Sequence, residues 1–166
     1  MSPDAARPRW WSRLRRAQVT QDLDPRRPDL VVVASGFDDT EACSAALERA
    51  ASTEPRWDPS RRAVIRHHLL LPADRHQDAV AVAGQDGYAA ADPPPHEVAG
   101  GASLPVPHEV AGGAPLPVPD GRLLVLQRVE VLDALHCSQE RSRMAGLAQL
   151  RGGHVLGWDA LQPPPG

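Results

Sequence analysis

The sequence has no lysine, no asparagine and a single isoleucine, Ile65. All 18 basic residues are therefore arginine, and this bias, with abundant Ala and Pro, is the mark of a GC-rich bacterial genome. Ala fills helix positions where Leu or Ile would bury more surface, so Leu and Val must carry a thin core. Aromatic residues make up 4% of the chain, with one Phe and one Tyr. An RNA-recognition sheet needs stacking aromatics on its central strands, and neither Phe37 nor Tyr88 lies on a predicted central strand. Only Cys43 and Cys137 occur, without CxxC spacing. The sequence permits a disulfide between them, but two cysteines on separate predicted helix faces in a reducing compartment read as small buried hydrophobes. No apolar run approaches the ~18 residues of a spanning helix, so no membrane span is expected. Residues 1–16 contain no apolar core of a signal peptide, and the expected location is cytoplasmic.

What remains is 166 residues, 42% hydrophobic, with 18 Pro and 13 Gly, enough for one domain plus irregular segments. The net charge of −3 hides an asymmetry: residues 1–28 hold seven Arg against three Asp, whereas residues 29–166 hold eleven Arg against eighteen acids. An acidic domain repels the phosphate backbone, so it is expected not to bind nucleic acid directly, and a basic protein partner suits it better. Residues 1–28, with Trp10, Trp11 and Leu14 among arginines, read as a disordered basic tail.

Residues 29–161 read as a single α+β domain. A strand at 30–34 precedes a helix from Asp38 to about Ala51, where Asp38 and Glu41 form a capping signal and Cys43, Ala46, Leu47 and Ala50 make an inward stripe. The clearest strand is Ala63 to Leu71, stopped by Pro72, followed by a helix over 73–85 and a short strand at 88–91. A Pro/Gly-rich insertion at 93–119 contains a tandem duplication, PHEVAGGASLPV then PHEVAGGAPLPV. Two copies cannot stack into a solenoid, and so much proline blocks helix and central strand, so a loop is expected. Its repeated His96 and His108 are what a duplication produces, and no metal site is read from them. A strand at 122–131, a helix at 138–150 and a strand at 154–158 complete the domain, and residues 162–166 read as a disordered tail.

The order from residue 63 onward is that of a ferredoxin-like split βαβ sandwich, with the unit at 30–51 as an extra N-terminal β-α element. Alternation places Ile65, His67, Leu69 and Leu71 on the helix-covered face together with Leu123, Val125, Val129 and Val131. Leu70, Leu124 and Leu126 then fall on the opposite face, an apolar patch on an otherwise polar surface. His67 is expected in the core and His68 outside it. Adjacent strand residues cannot both ligate one ion, no GxSxG is present, and Gly84-Gln85-Asp86-Gly87 ends a helix rather than opening one. No catalytic, cofactor-binding or metal-ligating residue is therefore assigned, and no cofactor is expected. The alternative from another class is a small ligand- or metal-binding ferredoxin-like domain, or an enzyme using the His67/His68 region.

Arg66-His67-His68 in a strand, Gly87-Tyr88 after the next helix, Asp120-Gly121 before a strand, and a last helix leading to Gly157-Trp158-Asp159 together resemble the regulator of ribonuclease E activity B (RraB) family. The resemblance covers about residues 58–161. Family members show a terminal Asp-Gly-Trp-Gly, whereas here Leu156 precedes Gly157-Trp158 and Asp159 follows. The resemblance implies a non-catalytic inhibitor that binds an endoribonuclease outside its catalytic centre. The acidic balance makes a basic segment of such a ribonuclease the expected target, with Leu124, Leu126, Trp158 and His68 as the candidate partner-binding residues.

Overall fold

The computed structural model describes residues 23–91 and 118–164. The N-terminal tail through residue 22, the duplicated insertion over 92–117 and the last two residues lie outside the described residues. The elements are β1 (Val31–Gly36), α1 (Cys43–Ser52), β2 (Arg62–Pro72), a single 3-10 turn (Ala73–Arg75) running into α2 (His76–Gly84), β3 (Ala89–Ala90), β4 (Gly121–Val131), α3 (Ala134–Gln149) and β5 (His154–Gln162). The strands form one antiparallel sheet in the order β1-β5-β2-β4-β3, so the domain is of α+β class.

Local chemistry explains where the helix starts depart from expectation. Asp38 does not open α1. Its carboxylate accepts hydrogen bonds from the Thr40 backbone N–H at 2.9 Å and the Thr40 hydroxyl at 2.6 Å. This local turn competes with helix formation, and α1 begins only at Cys43. In α3 the reverse happens. Asp133 accepts from the His136 backbone N–H at 2.8 Å, and this N-cap starts the helix at Ala134, four residues before the expected Ser138. Gly87, at φ +81°, supplies the left-handed residue that turns the chain out of α2 toward β3. β5 runs past the expected end at Trp158 to Gln162, whose side chain exchanges hydrogen bonds with the Asp58 backbone at 2.9 and 3.0 Å.

β2 is the central strand, paired along its length with β4 on one side and β5 on the other. Ala63, Ile65, His67, Leu69 and Leu71 point to the helices, where Ala79 and Ala83 of α2, Met144, Leu147 and Ala148 of α3, and the α1 stripe complete the core. β1 extends the sheet beyond β5, and α1 packs beside α3 on the same side as the other helices. Of the N-terminal β-α element, α1 stays on the helix side, and Phe37, between β1 and α1, reaches the opposite face.

The β2–β4 register reverses the expected faces of β4. Leu126 lies opposite His67 and Leu124 opposite Leu69, while Val125 faces His68. Leu124 and Leu126, expected as an accessible patch, are 7% and 0% exposed inside the core. Leu123 to Leu126 is apolar at every position, so alternation carries no phase there, and the polar Arg128 and Glu130 sit on the helix side, opposite Ile65 and Ala63.

Candidate functional site

Strand pairing sets Arg66 of β2 directly opposite Asp159 of β5. The guanidinium grips the carboxylate with two hydrogen bonds, Nε to Oδ1 at 2.6 Å and Nη2 to Oδ2 at 2.7 Å. His68, two residues along the same face, brings Nε2 to 2.9 Å from Asp159 Oδ2. The three residues are only 6%, 2% and 1% exposed, in the order Arg66, Asp159, His68. Burial pushes the Asp159 carboxyl up, but the hydrogen bonds from His68 and Arg66 more than offset it and hold the carboxyl below its ordinary range. The Phe37 ring covers His68, with centroids 5.3 Å apart. Gly157, opposite His68, has no room for a side chain, because a Cβ there would collide with Phe37 and the Gly36 carbonyl. His68, expected outside the core, is thus buried by its carboxylate partner and by Phe37.

His67 points the other way, into the helix-covered core. Neither ring nitrogen has a hydrogen-bond partner among the described residues. Burial, reinforced by the neighbouring His68, lowers its pKa to about 3, so the ring is neutral at physiological pH. The Tyr88 ring meets it edge-on at 5.8 Å. Tyr88 donates its hydroxyl to Glu140 Oε2 at 2.7 Å, and burial together with this bond raises the phenol's pKa. The Arg128 guanidinium stacks over the Tyr88 ring at 4.7 Å and ion-pairs with Glu130 and with Glu140, the latter at 3.4 Å.

One buried polar network and one cluster of packed rings thus join most of the motifs singled out in the sequence. Arg66, His68 and Asp159 meet on one face of the sheet, and His67, Tyr88 and Trp158 on the other, where Trp158 lies opposite His67 in the register. Sequence reasoning missed Asp159 and Glu140 as partners, because 93 residues separate Asp159 from Arg66 and 52 separate Glu140 from Tyr88. No local signal links such pairs.

The candidate partner-binding residues do not form a surface. Leu124, Leu126, Trp158 and His68 are all buried, Trp158 beside Gly36, where an added Cβ would sit 2.5 Å from the indole Nε1. Among the described residues, the large apolar side chains that do face solvent are Leu150 at 85%, Leu135 at 65%, Val131 and Val82. An open cleft of about 800 Å³ lies between the Gly36–Ser44 segment, α3 and β5, with Arg141 and Cys43 on its wall. A second, of about 970 Å³, is lined by Arg75, Arg122 and Arg151 with Asp74 and Asp120. Among the described residues no group of three or more His, Cys, Asp or Glu side chains could hold a metal ion, and no helix is long and apolar enough to cross a membrane. Comparison of the chain with protein-family models, curated proteins and solved structures returned no match.

Proposed function

We propose that this chain is a non-catalytic regulatory protein of the cytosol that binds an endoribonuclease of the ribonuclease E type and modulates its activity. The observation that carries this reading is the fate of the motif residues. Arg66, His68 and Asp159, whose chemistry could serve a reaction, hydrogen-bond to one another with almost no contact with solvent, so they shape a scaffold rather than meet a substrate. The finer fold reading belongs with it. From β2 to β5 the chain runs β-α-β-β-α-β with strand order β5-β2-β4-β3, an arrangement that supports a ferredoxin-like split βαβ sandwich extended by β1 and α1. The excess of eighteen acids over eleven arginines in residues 29–166 favours a basic segment of the ribonuclease as target.

The test is a ribonuclease E cleavage assay titrated with the full chain. Cleavage slows as the chain is added, and the effect weakens as salt rises, because exposed complementary charges are screened over a Debye length of about 8–10 Å. Unaltered cleavage across a wide concentration range, with no ribonuclease recovered alongside the protein from its own cells, rejects the proposal.

A further inference from the structure

We propose that Cys43 and Cys137 are a redox-sensitive dithiol that closes reversibly into a disulfide, tying α1 to α3. Cys43 is the first residue of α1 and Cys137 lies in the first turn of α3, 94 residues further on. Their sulfurs face each other at 2.7 Å, closer than the roughly 3.5–4.0 Å at which side-chain atoms merely pack, and both thiols are free. Closing the bond therefore needs little movement of either helix. The alignment is held from outside the pair. Arg141, one turn along α3 from Cys137, donates to the Glu41 carbonyl at 2.7 Å and to the Asp39 carbonyl at 3.2 Å, which clamps the entry to α1 against α3.

The two cysteines differ in access, and this assigns their order of reaction. Cys43 keeps only 5% of its surface exposed, at the wall of the open cleft, whereas Cys137 is wholly enclosed behind it. A small reagent entering the cleft meets Cys43 first. Arg141 Nη1, 3.9 Å from Cys43 Sγ, places positive charge beside the sulfur that carries negative charge as exchange begins. The oxidant is a low-molecular-weight disulfide, RSSR. Cys43 gives its proton to water, its sulfur attacks one sulfur of RSSR, and RS⁻ leaves. Cys137 then gives up its proton, and its sulfur attacks Cys43 Sγ and expels the second RS⁻. Two thiols lose two electrons and two protons, and RSSR becomes two RSH. Burial, with Cys43 beside it, raises the pKa of the Cys137 thiol, which makes the second step the slow one.

The experiment incubates the full native chain with graded ratios of oxidised to reduced glutathione, blocks remaining thiols with a maleimide and measures intact mass. The expected product is a monomer lighter by two hydrogens with both thiols protected, restored by dithiothreitol, and melting on the order of 10 °C higher because a long loop is closed. Cys137→Ser stops at one glutathione on Cys43, and Cys43→Ser takes up none under native conditions. Two thiols that stay open to the maleimide after denaturation at the most oxidising ratio, or bridges only between chains, overturn the proposal. If either serine variant fails to fold, the mass and thiol protection of the unaltered chain decide by themselves. None of these readouts depends on a ribonuclease.

Discussion

Asp159 receives both ends of the Arg66 guanidinium from the neighbouring strand, at 2.6 and 2.7 Å, with both side chains almost wholly out of water. Such a pair adds little over apolar packing, but breaking it strands a charge. Asp159→Ala should therefore cost about 3–5 kcal/mol in denaturant unfolding. A loss under about 1 kcal/mol would mean that the freed guanidinium finds water or another acceptor.

Stability should fall on acidification, and His67 sets the upper part of that fall. Its folded pKa of about 3 lies below the ordinary histidine value of 6.5, so between these pH values the unfolded chain binds the extra proton. This contribution is fully present above pH 6.5 and declines toward pH 3, by at most about 1.4 kcal/mol per pH unit. His67→Leu, which also removes two nitrogens unpartnered among the described residues, should flatten the stability–pH curve in that window. Asp159 acts lower down, because its depressed carboxyl contributes above the unfolded carboxylate range and is lost as pH falls through its folded value. Equal slopes for His67→Leu and the unaltered chain would place the imidazole in contact with solvent.

Two glycine substitutions should have opposite signs. An added Cβ at Gly36 would press on the Trp158 indole, so Gly36→Ala should destabilise by about 1–3 kcal/mol. Gly146, inside α3, has open space around its Cβ position, and Gly146→Ala should stabilise by about 0.5–1 kcal/mol through helix propensity. Thermal melts of the two variants check the contrast.

Tyr88→Phe keeps the ring against His67 and under Arg128 but removes the donor to Glu140. The buried carboxylate still has Arg128 at 3.4 Å, so the expected cost is about 1–2 kcal/mol rather than that of an unpaired charge. A larger loss in chemical denaturation would assign the Tyr88 hydroxyl a greater share of the network.

Much of the architecture was legible in the residues themselves. The alternation of Ile65, His67, Leu69 and Leu71 and the stop at Pro72 predicted β2, and the Cys43, Ala46, Leu47, Ala50 stripe predicted the buried side of α1. The helix ends were less legible. Asp38 and Asp133 are equally good capping residues by type, and only their hydrogen bonds to Thr40 and His136 show that one makes a local turn and the other a cap. The candidate site was legible as residues but not as partners.

By itself the sequence determined the α+β class, from the order of its elements, and the opposite orientations of His67 and His68, from the two-residue period inside one strand. Only the tertiary structure decided which side of β4 faces the helices. A strand that is apolar at Leu123, Leu124, Val125 and Leu126 fits either phase, and a one-residue slip turns every side chain over. The pairing of Leu126 with His67 settles it, through contacts between segments far apart in the chain. The meeting of Cys43 with Cys137 has the same origin, since only the packing of α1 on α3 brings the two sulfurs together.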